Sequence, residues 1–129
     1  MRGSEVVADA SAILAALKEE PFSKISPERL VHAAISAVNL SEVLTKLAAD
    51  GLNQAQADAA VDALDLRIFP FDGQQARATA DLWTVTRRAG LSLGDRACLA
   101  LALRLGEPAV TADRAWARVD VGVEIILIR

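Results

Sequence analysis

The chain has 129 residues, a formal net charge of −3, 53% hydrophobic residues and 24% charged ones. That length suits a single domain, residues 1–129, which can bury a core without disulfide or metal staples. The hydrophobic share excludes a disordered chain, and the acidic balance excludes a surface that grips nucleic acid over its whole extent. No apolar run approaches the roughly 18–20 residues that span a bilayer, so no membrane segment is expected. Met1-Arg2-Gly3-Ser4 leads into Glu5 and a short apolar run, not into a secretory leader. The single cysteine, Cys98, cannot form an internal disulfide, so a reducing cytoplasm is the expected setting.

Val6-Val7-Ala8 is too short and apolar for a helix and reads as a first buried strand, with Asp9 directly after it. Ile13, Leu14 and Leu17 recur at helical spacing and Pro21 ends that helix. Ser26-Pro27-Glu28 reads as a second helix start, with proline at the first helical position. Residues 34–38, Ala-Ile-Ser-Ala-Val, form the second predicted strand. Leu40, Val43, Leu44, Leu47 and Ala48 then make an apolar stripe on one helix face, and Gly51 closes it. Asn53 caps the next helix, whose inner side is predicted as Ala57, Ala60, Val61 and Leu64. Leu66 to Phe71 is a third strand, and Pro70 sends it to a sheet edge because proline lacks the ladder donor. A helix from about Gln75 to Arg88 should follow, with Ala76, Ala80 and Trp83 inward and Gly90 as its stop. Asp95 to Leu105 is apolar nearly all round, the pattern of a helix buried on most sides, and Gly106 ends it. Pro108 to Thr111 and Val123 to Ile128 are the last strands. Strands alternating with helices imply a parallel sheet covered on both faces.

In such sheets ligands bind at the carboxyl ends of the strands, and the polar residues predicted there are mostly acids. Asp9 follows the first strand, Asn39 and Glu42 the second, and Asp113 the fourth, while Asp95 opens the buried helix. Each acid also has an ordinary structural explanation. Asp9 and Asp113 fit helix N-caps. Asn39-Leu40-Ser41-Glu42 fits a capping box and Ser92-Leu93-Gly94-Asp95 nearly fits one. Glu42 could pair with Lys46 one turn on. Together, four carboxylates sharing one crevice repel each other and raise one another's pKa values, which a divalent cation relieves. Oxygen-only ligands point to Mg²⁺ or Mn²⁺ rather than Zn²⁺.

The residues around these acids resemble those of PIN-domain nucleases. Val7-Ala8-Asp9-Ala10-Ser11-Ala12 is similar to their opening motif, and Ser36 to Val43, with Glu42 as the acid, to their second. Leu91 to Ala102, with Asp95, resembles the third, and Val110-Thr111-Ala112-Asp113-Arg114-Ala115-Trp116 the fourth. The overall look is that of the VapC type, the toxin half of bacterial toxin–antitoxin pairs. The resemblance implies a three-layer α/β/α sandwich around a five-stranded parallel sheet in order 3-2-1-4-5. It implies endoribonucleolytic cleavage of a structured RNA such as tRNA or rRNA, a small VapB-type antitoxin as inhibitor, and a homodimer. The metal would be held by Asp9, Asp95 and Asp113, with Glu42 as a fourth ligand or a general base. Ser11, Asn39 and Thr111 are expected to support these acids. Competing readings are a PIN-fold nuclease of RNA processing and a non-catalytic relative that only docks RNA or an antitoxin.

Arg96 and Arg114 each adjoin a site acid and are the expected contacts to RNA phosphates, with carboxylate pairing or solvation as the plain alternative. His32, the only histidine, lacks any nucleophile or acid beside it in sequence and reads as a surface or helix-end residue. Cys98 and Trp83 read as core fillers, as does Trp116, for which base stacking is the other reading.

Overall fold

Five short strands form one sheet in the order β3-β2-β1-β4-β5, with every neighbouring pair parallel. They are β1 (Val7–Ala8), β2 (Ala34–Ser36), β3 (Arg67–Phe69), β4 (Ala109–Thr111) and β5 (Ile125–Leu127). The computed structural model describes residues 5–129; the opening tetrapeptide Met1 to Ser4 lies outside them. Among the described residues six α-helices connect the strands: α1 (Ala10–Leu17), α2 (Ala37–Ala49), α3 (Gln54–Asp62), α4 (Gly73–Asp81), α5 (Trp83–Thr86) and α6 (Leu93–Leu105). Among the described residues no helix is long and apolar enough to cross a membrane.

Strand alternation divides the core into two halves. Val6, Ala8, Ala33, Ile35 and Val110 face one side, where they pack with Ile13 of α1, Val43 and Leu47 of α2, and Ala57 and Val61 of α3. Val7, Ala34 and Ala109 face the other, against Cys98, Leu99, Ala100, Leu101 and Ala102 of α6, with Leu82 and Trp116. The result is the expected three-layer sandwich. Alanines on β2, β4 and α6 keep that helix close to the sheet, and of its long apolar residues Leu93 and Leu103 are exposed, at 54% and 43%. Gly106 ends α6 in a left-handed conformation, φ 65°, which glycine adopts without a Cβ clash.

Three expectations need correction. The second strand stops at Ser36, not Val38, because the Ser36 hydroxyl accepts the Val38 amide and starts α2 there. Asn39 and Glu42 therefore stand within α2, and Asn39-Leu40-Ser41-Glu42 is not a capping box. The helix expected over 75–88 is broken into α4, α5 and a 3₁₀ turn at Arg87–Ala89. Its inner face is Gln75, Thr79, Leu82 and Thr86, while Ala76 and Ala80 are exposed and Trp83 is 51% exposed. Of the two buried threonines on that face, Thr86 satisfies its hydroxyl locally, Oγ1 donating to the Leu82 carbonyl at 2.7 Å, while Thr79 Oγ1 has no hydrogen-bond partner among the described residues. Trp83 instead lies against the Arg87 guanidinium, 5.1 Å from its ring centre.

The remaining boundaries shift by a few residues. β3 lies at the sheet edge, as Pro70 required. The Pro27 segment forms only a 3₁₀ turn, Pro27–Leu30. Asn53 and Gln56 form a complete capping box on α3.

Candidate functional site

The strand order reverses direction between β1 and β4, and the chains leaving those strands diverge to opposite sides of the sheet, opening a crevice at their carboxyl ends. A pocket of about 230 Å³ lies there, lined by Asp9, Ala10, Ser11, Leu14, Asn39, Glu42, Asp95 and Asp113. The four acids come from four separate places in the chain, after β1, within α2, at the start of α6 and after β4. Among the described residues no lysine, arginine or histidine lines the pocket.

Asp9 is held most firmly. It caps α1 by accepting the Ala12 amide at 2.8 Å. Ser11 Oγ donates to the same carboxylate at 2.8 Å, and Thr111 Oγ1 donates to Oδ2 at 2.6 Å. These hydroxyls are themselves anchored, since the Ala112 amide donates to Ser11 Oγ and the Asp113 amide to Thr111 Oγ1. Asp9 is only 3% exposed. Burial pushes its carboxyl up to about 6; the Thr111, Ala12 and Ser11 hydrogen bonds pull the other way, and the negative charge of Asp95 adds to the rise.

The other three acids each use one oxygen locally. Asp95 Oδ2 accepts the Ser92 amide at 2.9 Å while the Ser92 hydroxyl accepts the Asp95 amide at 3.2 Å, a complete capping box. Asp113 Oδ1 accepts the Ala115 amide at 2.9 Å at the start of a 3₁₀ turn, Arg114–Arg118. Glu42 Oε1 accepts Asn39 Nδ2 at 2.9 Å. Lys46 pairs with Asp50 at 3.7 Å, not with Glu42. The capping roles foreseen for Asp9, Asp95 and Asp113 are therefore present, and they coexist with convergence on one pocket, because a cap places a carboxylate at a helix start and these helix starts surround the switch point.

The donor set suits a hard divalent cation. Among the described residues the ligating atoms lining the pocket are oxygens, with no side-chain cation beside them. Asn39 is 1% exposed, lines the same pocket, and its Oδ1 has no hydrogen-bond partner among the described residues. Among the described residues no three acidic, histidine or cysteine side chains stand close enough together to form a metal cage as they are placed. Cys98, completely buried in α6, has its thiol pushed well up by burial and by the charges of Asp9, Asp95 and Glu42.

The flanking residues divide. Arg96 Nη1 donates to the Thr79 carbonyl at 2.9 Å, tying α6 to α4, and Arg96 does not line the pocket. Arg114 is exposed beside Asp113. His32 is exposed and pairs with Asp65 at 3.0 Å. Trp116 is fully buried. The residue that sequence reasoning overlooked is Gly94, whose backbone carbonyl accepts Asn39 Nδ2 at 3.0 Å; it lay in plain view beside Asp95, but only packing reveals what fills the space where its side chain would be.

The structure defines a parallel α/β sandwich whose acid-lined crevice lies at the switch point, where open α/β folds bind their ligands. The family model described as PIN domain matches residues 6–122, and the chain belongs to the PIN-domain family. Solved structures share the fold. DNA-bound VapBC from Salmonella typhimurium superposes with a TM-score of 0.72 at 23% identity, covering 94% of this chain and 96% of that one. VapC20 from Mycobacterium tuberculosis, described as a Sarcin-Ricin loop cleaving toxin, gives 0.67 at 20% identity over 92% and 98%. VapBC-5 from the same organism gives 0.64 at 25% identity over 98% of both chains. No curated protein matches in sequence.

Proposed function

We propose that this chain, acting as one domain, is a divalent-metal-dependent endoribonuclease and the toxin half of a toxin–antitoxin pair, cutting a structured RNA such as tRNA or rRNA. The observation that carries the reading is the pocket at the switch point, where Asp9, Glu42, Asp95 and Asp113 meet with no cationic side chain among them. Family membership supports nuclease chemistry, and the fold shared with VapC20 and the VapBC complexes supports the toxin role.

When bound, Mg²⁺ or Mn²⁺ would supply Lewis-acid charge and an activated water for in-line displacement at phosphorus. Asp9, Asp95 and Asp113 would hold it, directly or through water. Ser11 and Thr111 fix the Asp9 carboxylate by donating to it, which leaves it little freedom to rotate out of the pocket. Glu42 stands at the pocket wall, as a fourth ligand or as the base that takes a proton from the attacking water. Arg114, exposed at the rim, is the side chain suited to a flanking phosphate.

An acidic pocket without a built-in cation attracts one from a partner. A small VapB-type antitoxin with a basic, extended segment would inhibit by placing an arginine there. Self-association would use the outer faces of α2 and α3, where Ala48, Ala55 and Ala59 are exposed; light scattering at high concentration should then give twice the monomer mass. The central test is cleavage of total RNA with Mg²⁺ or Mn²⁺ and with excess EDTA, in the wild type and in Asp9→Asn. Cleavage that survives EDTA, or that survives the substitution, would sink the proposed mechanism.

A further inference from the structure

The space filled by the Glu42 carboxylate exists only because residue 94 has no side chain. A Cβ added to Gly94 would lie 2.5 Å from both Oε1 and Oε2 of Glu42 and 2.7 Å from its Cδ. The other described glycines have room: Gly51, Gly73, Gly90 and Gly106 would meet nothing within 4 Å, and Gly122 only Leu103 at 4.0 Å. Nor does the backbone require glycine here. Gly94 lies inside α6 without a positive φ, where alanine would favour the helix.

Asn39 holds the carboxylate in that space. Its Nδ2 donates at 2.9 Å to Glu42 Oε1 and at 3.0 Å to the Gly94 carbonyl. Both partners are acceptors, so the amide cannot be reversed without setting oxygen against oxygen. One buried amide thus ties the glutamate of α2 to the backbone of the glycine it leans on in α6. A free glutamate at a helix surface would spread over several rotamers, and repulsion from Asp9 and Asp95 would push it outward.

We propose that Gly94 and Asn39 are positioning residues that seat Glu42, fixing its carboxylate on the wall between the acidic pocket and the neighbouring groove lined by Phe71 and Leu93. The functional part of this proposal rests on Glu42 being a site acid; the seat itself does not. An added methyl group at residue 94 would evict the carboxylate, which swings out as the end of a flexible chain, so the damage falls on placement more than on folding.

The experiment is a set of variants: Gly94→Ala, Glu42→Ala, the two combined, and Gly94→Ala with Glu42→Asp. Melting of the metal-free protein and the kcat and KM of RNA cleavage are measured for each. In the Glu42→Ala background, Gly94→Ala should raise the melting temperature, as alanine favours a helix and the three atoms nearest its Cβ, all of the Glu42 carboxyl, are gone. In the wild-type background that gain should vanish or reverse. Cleavage should lose roughly ten- to hundredfold in kcat on Gly94→Ala with KM little changed, as misplacement of a catalytic group does. In the Glu42→Asp background the same substitution should cost far less, because the shorter carboxylate stops short of the new methyl group. Equal melting shifts in both backgrounds, failure to fold in both, or wild-type kcat in Gly94→Ala would overturn the proposal. Folding only where Glu42 is absent would support it. A wild type that cleaves no RNA would refute the nuclease reading, while the melting cycle would still decide the seat.

Discussion

Asp9 is a buried carboxylate with three donors and no cation, and its stability consequences follow from its titration. In the folded chain it keeps its proton to about pH 6, against an ordinary value of 3.8. Between those values the folded state binds more protons than the unfolded one, so stability falls as pH rises through that window, and the full penalty applies above pH 6. A shift of that size corresponds to about 3 kcal/mol at most. Asp9→Asn keeps an oxygen for the α1 cap, so the metal-free variant should be more stable than wild type at pH 7 by at least about 1 kcal/mol. The difference should shrink towards pH 4, as urea melts across pH will reveal. Asp95 behaves differently because its capping box is complete. Asparagine can accept the Ser92 amide as well, so Asp95→Asn should alter stability by no more than about 0.5 kcal/mol. If Asp95 serves the metal, RNA cleavage should nonetheless collapse; an active variant would leave the residue as a cap alone.

At the scale of elements, α6 links one half of the core to the pocket. Its alanines and leucines fill one side of the sheet, its first turn supplies Gly94 and Asp95 to the pocket, and Arg96 ties it to α4. The arginines next to the site acids should therefore separate by experiment. Arg96→Ala removes a charge-assisted bond to the Thr79 carbonyl and should lower stability by about 1–3 kcal/mol. Arg114→Ala removes an exposed side chain, so melting should hardly move. Instead its RNA affinity should weaken and its salt dependence become shallower. Binding isotherms at two salt concentrations, beside melting curves, distinguish the two, and a loss of melting temperature in Arg114→Ala would count against its place at the phosphate.

For the whole molecule, four acids at one switch point mean that folding brings like charges together, and a divalent ion should restore what that repulsion removes. One site at a hundredfold excess over its dissociation constant should add about 2.7 kcal/mol to unfolding stability. Mg²⁺ or Mn²⁺ should raise the melting temperature of the wild type, EDTA should reverse the rise, and Asp9→Asn or Asp113→Asn should respond much less. A wild type indifferent to both ions would remove the basis for a metal site.

The order of strands and helices, the edge position of β3 and the buried character of α6 were legible in the chain, because apolar periodicity, Pro70 and Gly106 act locally. So was the placement of Asp9 and Asp113 at strand ends, since a short apolar run followed by an acid marks where a strand hands over to a helix. The phase of α4 was not legible. Alanine fits either side of a helix, and threonine is small enough to be buried, so only packing against α6 decided which face turned inward and left Trp83 outside. The start of α2 at Ser36 likewise depended on a side-chain cap that competes with a strand of similar composition. What only the tertiary structure decided is how the acids are held: the Thr111 hydroxyl reaches Asp9 from 102 residues away, and Glu42 rests against Gly94 across two helices. Such contacts depend on the separation of packed elements, which the pattern along a single chain does not encode.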